Sequence, residues 1–411
     1  MEDQPVGRRV AYWRNRRKLS QQLFADRLGK SKSWVDKVER GVRRLDRFST
    51  ISEIADVLQV DVQILMGRDP AARKPESMNF VDQVEVAEIR AALERYDKIS
   101  TFTPTPLDAP PLPELSKAVD HAWMTFQHSK YGVLARTLPR LLRDAQAADA
   151  AADAGTESAR TAARLLAQVY QIASSTLRKL GEHDLAWLAA DRAIMVCQRA
   201  SDDLLSALAT VRVAGALSAL GRSRPALEIN VNVANQIAPG EDFDATPERL
   251  SVYGIVLLQG TIAAARLADA ATVRDLIGGA EEAAKQVGGD DNHYWTSFGP
   301  TNVAFHRAAA EVEMGEGAKA VLTHDAIDPL WFAAMLPERR ASHLLDLSRA
   351  YAQIGDIAKA GETLVEADRL APSEVRCRPV ARDLVSDLLR RTRGSAPVAL
   401  LELVDQLGVT G

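Results

Sequence analysis

The sequence predicts an all-α protein, with a small helical head followed by a solenoid of helical hairpins. Three observations carry this expectation. Alternating β-branched runs are nearly absent and no Asn-Gly pair marks a hairpin turn. Alanine- and leucine-rich segments repeat at helical spacing along almost the whole chain. A unit with glycine at a turn and alanines at helix crossings recurs through the C-terminal two thirds.

With 411 residues, 46% hydrophobic and 26% charged, the chain has the composition of a globular protein too long for one core. No apolar run reaches the roughly 18–20 residues that span a bilayer, and the opening MEDQPVGRRVAYW lacks the apolar core of a secretory signal. Cys197 and Cys377 fit neither a disulfide framework nor a zinc spacing. The expectation is a cytoplasmic protein without metal, cofactor or membrane partner. The seven histidines are scattered without H-x-x-x-H spacing or an adjacent activated nucleophile. The glycine pairs lack the lysine and strand of a phosphate loop, so an enzyme is not expected.

Charge is distributed unevenly. Residues 1–74 hold 17 Lys+Arg against 10 Asp+Glu, and the remainder holds 34 against 45, so a +7 head precedes a −11 body. A polyanion partner is expected for the head alone.

The head, residues 1–70, shows five helical patterns. VGRRVAYWRNRRK is the first, and LSQQLFADRLGKSKSWVDKVERG holds the next two. Ser20 and Ser31 are suitable N-caps. Ala25 is small where two helices cross, Gly29 makes the turn, and Val35 and Val38 plug the following helix onto the core. Thr50-Ile51-Ser52-Glu53 reads as a capping box opening the fourth helix, and Asp61 as the N-cap of the fifth. The helix after Ser31 presents Lys32, Ser33 and Lys37 outward, with Trp34 or Arg40 beside them; such a helix fits the major groove.

These residues carry a resemblance. Residues 7–67 resemble the Xre (Cro/C1, phage-repressor-like) helix-turn-helix family, through the Gln-x3-Ala-x3-Gly-x5-Val-x2-Val pattern and the continuation ISEIADVLQVDVQILMG. The resemblance implies double-stranded DNA as partner. It gives Gln21 a backbone phosphate and a buttressing role, and Lys32, Ser33 and Lys37 the base-reading positions. Arg43, Arg44 and Arg47 fall in the loop that skirts the DNA backbone, with Arg47 where some members reach the minor groove. Arg14 and Glu39 match a structural salt bridge joining the first helix to the recognition helix. Trp34 is larger than usual for its place and either packs on a sugar or thymine methyl or covers the core. Phe24 departs from the usual short or charged residue and is expected to face a neighbouring helix. Relatives of this kind bind paired half-sites, so a homodimer is expected.

Residues 71–113 read as a helical connector followed by a semi-rigid linker, TFTPTPLDAPPLP, with five prolines in thirteen residues. Residues 114–411 repeat. In ASHLLDLSRAYAQIGDIAKAGETLVEADRLAP, Tyr351, Gly355, Ala360, Leu364, Ala367 and Pro372 fall where a tetratricopeptide unit places them. Gly181, Ala186 and Ala193 mark a second unit, Gly221 and Ala226 a third, and Gly315 and Ala320 a weaker one; degenerate pairs around Ala268 and across HAWMTFQHSKYGVLARTLPRLL bring the number to about six. An Xre-type head on such repeats resembles the peptide-sensing regulators of the Rgg, PlcR and PrgX group, which implies a peptide or small-molecule effector in the concave groove. The alanine- and arginine-rich composition points to an actinobacterial chain.

The repeat register places Gln168, Gln171, Ser175, Arg178, Asn302, Ser342 and Arg349 on the groove. A hydrophobic floor with aligned amides would favour peptide capture. A broad charged groove would favour the alternative, a repeat scaffold binding a folded protein with the head as DNA anchor. GGDDNHYWTSFGPTN breaks the helical rhythm, and its Tyr294, Trp295 and Phe298 are expected as an inter-repeat wedge rather than a lid.

Overall fold

The computed structural model describes residues 6–17, 19–43, 45, 48–58, 60, 81–94, 109–240, 245–392 and 398–407. Among these every regular element is helical, and an isolated antiparallel β-bridge pairs Asp291 with Phe298. None of these helices is long and apolar enough to cross a membrane.

The head consists of α1 (Val6–Arg16), α2 (Gln21–Arg27), α3 (Lys32–Glu39) and α4 (Phe48–Leu58). Val10, Phe24, Ala25, Val35, Ile54 and Leu58 meet in its core, each at most 2% exposed. Ser20 caps α2 by accepting from the Leu23 amide, and Ser31 caps α3 by accepting from the Trp34 amide, both at 3.1 Å. Each hydroxyl thus satisfies a backbone donor that a helix start would leave free. Gly7 lets α1 approach the end of α3, because a Cβ there would overlap the Val38 carbonyl oxygen. The expected capping box at Thr50 is corrected: α4 already begins at Phe48, which puts Thr50 inside its first turn. The expected fifth helix from Asp61 lies outside the described residues.

Helix α5 (Gln83–Leu93) is not a free connector. Val86, Ile89, Ala92 and Leu93 share one core with the first hairpins. Its start is fixed by a capping box in which Asp82 accepts from the Glu85 amide and Glu85 accepts from the Asp82 amide at 2.9 Å. Glu85 also faces Arg16 of the head at 3.5 Å and Arg136 at 3.8 Å.

Six antiparallel hairpins follow. They are α6 (Leu112–Gln127) with α7 (Tyr131–Ala151), α8 (Glu157–Lys179) with α9 (His183–Ala200), and α10 (Asp203–Ala219) with α11 (Ser223–Ile237). Then come α12 (Pro247–Arg266) with α13 (Ala270–Val287), α14 (Pro300–Glu313) with α15 (Gly317–Asp325), and α17 (Pro337–Gln353) with α18 (Ile357–Leu370), the short α16 (Pro329–Ala334) lying between the last two pairs. The shorter α19 (Pro372–Arg376), α20 (Pro379–Thr392) and α21 (Val398–Leu407) close the chain.

Every hairpin turns in the same way. The residue after the C-cap of the first helix has positive φ: Ser129, Gly181, Gly221, Ala268, Gly315 and Gly355, between 55° and 85°. The next amide reaches back to a carbonyl in the last turn, as from Glu182 to Leu177 at 2.9 Å and from Asp356 to Tyr351 at 3.0 Å. This is the Schellman arrangement, which satisfies carbonyls that a helix end would expose. Ala186, Ala193, Ala226, Ala320, Ala360 and Ala367 are fully buried where helices cross, so the marked alanines do what close packing asks of them.

The repeats curl until early and late hairpins meet. The Tyr131 hydroxyl donates to Glu374 at 2.5 Å, and the Lys179 ammonium bonds Glu338 at 2.5 Å and also Glu374. Burial would raise the Glu338 pKa, but Lys179 and Arg339 hold it well below the usual carboxylate range. The irregular segment 288–299 is a wedge in this closure. Phe298 is 0% exposed and fills the space left by the missing side chain of Gly254, while Trp295 stacks on Trp123 with ring centres 6.2 Å apart.

Candidate nucleic-acid interface and repeat cavity

In the head, α3 divides its residues cleanly by face. Val35 and Val38 are buried, while Lys32, Ser33 and Lys37 are exposed. The exposed face of α3 therefore offers Lys32 and Ser33 from its first turn and Lys37 from its last, two ammonium groups and a hydroxyl, to whatever approaches. Arg40 is also exposed and pairs with Asp36 at 2.7 Å, one helical turn away. Trp34 is partly covered and packs against the core, with the Arg43 guanidinium 5.9 Å above its ring. One part of the ring thus covers the core and the rest stays open to solvent. Phe24 is wholly buried, as a residue facing a neighbour helix must be. Arg44 and Arg47 lie outside the described residues.

The angle of α3 to the rest of the head is held by one buried pair. Arg14 donates from Nε and Nη2 to the two Glu39 oxygens, at 2.5 and 3.0 Å, and from Nη1 to the Leu19 carbonyl at 2.6 Å. Gln21 completes it, its amide nitrogen donating to Glu39 at 2.8 Å. Gln21 thus stands at the start of α2 with its side chain braced against the end of α3.

The body holds a cavity of about 610 Å³ on the inner side of the curl, lined by Arg178, Asn302, Ser342 and Arg349 among the residues expected there. Three others are corrected. Gln171 and Ser175 are 1% and 2% exposed, and their side chains are spent on the Leu205 and Gln171 carbonyls. Gln168 accepts from the Trp123 indole at 3.2 Å and is not part of the lining. The physical reason is that α10 closes over this stretch of α8, turning a face read as groove into core. Lys179, His183, Arg266, His306, Glu313, Glu338, Arg339, His343, Asp346 and Arg378 complete the charged and histidine lining, with Ser218, Ser223 and Gln259 among the neutral polar groups.

Most of these charges answer one another. Arg349 meets Glu313 at 3.1 Å and Asp346 at 3.0 Å; Arg266 meets Glu313 at 3.4 Å. Arg378 meets Glu374 at 2.5 Å and donates to the Ser342 hydroxyl at 3.1 Å. Burial, with help from Arg339, lowers the His306 pKa to about 4, and burial lowers that of His343 to about 3, so both rings are neutral near pH 7. His343 stacks on Phe305 at 4.2 Å and lies 3.0 Å from His324. Among the described residues no group of three or more His, Cys, Asp or Glu could hold a metal ion.

With this geometry in view, comparison with known proteins is decisive for the head. Residues 5–64 match the family model described as a helix-turn-helix domain. The head is a helix-turn-helix domain. The immunity repressor protein of Bacillus phage phi105 is 28% identical over 121 residues, which cover 28% of this chain and 83% of that protein. A solved structure, Bacillus thuringiensis PlcR in complex with the peptide PapR7 and DNA, aligns over 78% of this chain and 94% of its own. It does so at 11% identity and a TM-score of 0.31, a level that bears on neither shape nor ligand. The chain is a DNA-binding transcriptional regulator with helical repeats C-terminal to its head.

Proposed function

We propose that this regulator binds its operator as a homodimer, with α3 of each copy in a major groove. Lys32, Ser33 and Lys37 contact base edges. Gln21, Arg40, Arg43, Arg44 and Arg47 serve the phosphates, and Arg14 with Glu39 keeps α3 in place. The observation that carries this is the capped α3 with two valines inward and two lysines outward, within residues 1–74 of net charge +7. A lysine in this position can reach guanine O6 or N7, while phosphate contacts add salt-dependent affinity without sequence preference. Two heads on one rigid body supply the spacing that a single head lacks.

The test replaces Lys32 and Lys37 together by alanine in the full chain. Sequence-specific footprints should vanish while the mass in solution and the helix content stay as they were; intact footprints would take α3 out of the groove. Separately, a mass measurement that finds only monomer across micromolar concentrations removes the homodimer.

The repeat cavity serves in this reading as the effector site that modulates DNA binding. Its walls are charged, the property expected of a surface for a folded partner. Its volume of about 610 Å³ nevertheless falls in the range of small-ligand pockets, roughly 300–1,000 Å³. A small molecule or a short peptide is therefore favoured over a protein.

A further inference from the structure

The cavity is unevenly charged in a body whose net charge is negative. Lys179, Arg339 and Arg378 share Glu338 and Glu374, and Arg266 and Arg349 share Glu313 and Asp346. That leaves two arginines over. Arg178 lines the cavity, and among the described residues its side chain makes no hydrogen bond or ion pair. Arg212 lies close enough to feel both Arg178 and Arg339, with Glu338 the one carboxylate in its field; its guanidinium stands 5.9 Å from the Trp123 ring centre, and its Nε is buried without an acceptor. Seven cationic side chains thus stand against four carboxylates.

Partially buried guanidiniums without partners are costly, and a protein keeps them where something else completes them. Burial lowers the pKa of Arg212 to about 9, with Arg178 and Arg339 adding to the effect. His183, on the same wall, has its pKa lowered by burial and then by Arg178, and its Nδ1 is likewise buried without a partner. The side-chain Oδ1 of Asn302 is another lining atom buried without a partner, an acceptor that would take a donor group elsewhere on a ligand. Gly215 faces Arg178, its would-be Cβ 3.9 Å from the Arg178 Cδ and Nε, so nothing bulky crowds that guanidinium from α10.

We infer that this cavity is an oxyanion site, taking a small ligand whose carboxylate or phosphate sits against Arg178 and Arg339 in the field of Arg212. The inference rests on the reading of the cavity as an effector site and names the chemistry of what enters it. A guanidinium presents a planar fork that matches both oxyanions, and low-dielectric walls strengthen the attraction.

The experiment uses the full chain and two probes, inorganic phosphate and citrate, each titrated against chloride at equal ionic strength. Melting temperature and titration calorimetry are read together. Wild type should show saturable stabilisation by one probe or both, and the stronger arm identifies phosphate or carboxylate as the favoured group. R178M should lose at least tenfold in affinity, about 1.4 kcal/mol, yet melt no lower than wild type without ligand, since burial and Arg378 oppose the Arg178 charge more than Glu338 and Glu374 favour it. Anions bound by the basic head survive R178M and are subtracted by it. R178K keeps the charge without the fork and should lose part of the affinity, which preserves the test if R178M does not fold. Unchanged binding in R178M and R178K, or no saturable response from wild type to either probe, overturns the inference. Operator affinity measured in the same samples separates the two claims. Binding lost in R178M with operator affinity indifferent to the anion keeps the oxyanion site and removes the effector role. No anion binding, with operator affinity responding to an uncharged peptide, does the reverse.

Discussion

Two arginines, Arg14 in the head and Arg178 in the repeats, sit in similar seclusion to opposite effect. Arg14 is 9% exposed and spends its guanidinium on Glu39 and the Leu19 carbonyl. Arg178 is partly buried and, among the described residues, pairs with nothing. A completed guanidinium fixes geometry, here the pitch of α3. An incomplete one destabilises the empty protein and is ready for a ligand. The contrast teaches that buried charge must be judged by its partners before it is given a role.

The comparison can be broken most forcefully at Glu39. E39A leaves Arg14 buried and uncompensated, and should cost the head about 3–5 kcal/mol, seen as faster hydrogen exchange of the α3 amides in the full chain. R178M should leave exchange in α8 unchanged or slower. If both variants loosen their helices alike, the distinction between the two arginines fails.

Next in size is acid. Burial depresses the pKa of His306 to about 4 and of His343 to about 3, both below the unfolded value near 6.5. Between these values the unfolded chain binds more protons than the native one, so stability falls as pH drops from 6.5 toward 4. Hydrogen exchange in α14 and α17 should quicken over that window, and the replacement H343F should flatten the slope; an unaltered slope would deny His343 its part. Comparable or smaller is the effect of G7A, which sets a methyl against the Val38 carbonyl and should cost the head about 1–3 kcal/mol. Operator affinity should fall with it, because α3 must shift.

The smallest effect is a gain. Ala268 holds φ at 56° in a turn where four of the other hairpins have glycine. A268G should stabilise the fourth hairpin by up to about 1 kcal/mol, measured as a higher melting temperature. No gain would mean that this turn is relaxed as it stands.

These turns also mark what could be read from the sequence. Gly181, Gly221, Gly315 and Gly355 announced their hairpins, since glycine accepts the required backbone freely. Ser129 and Ala268 make the same turn without that mark, which is why their hairpins read as degenerate. The polar face of α3 was legible because one capped helix carries it. The cavity was only half legible. Helical spacing puts Gln171 and Ser175 in line with Arg178, but it cannot say where α10 will cover that line. Arg212 was missed. Its only signal is an arginine set among small and apolar residues in ATVRVAGAL, a pattern that an exposed helix face would also give.

Glu85 carries a consequence for how the reading heads are mounted. Its carboxylate faces Arg16 at 3.5 Å and Arg136 at 3.8 Å; Glu85 is buried but each arginine side chain is 40% exposed, so water and salt dilute the attraction from that side. A tie of that kind holds by about 0–1 kcal/mol, and rising ionic strength slackens it further. The two Glu85 ion pairs are therefore a minor part of what joins the head to the repeats.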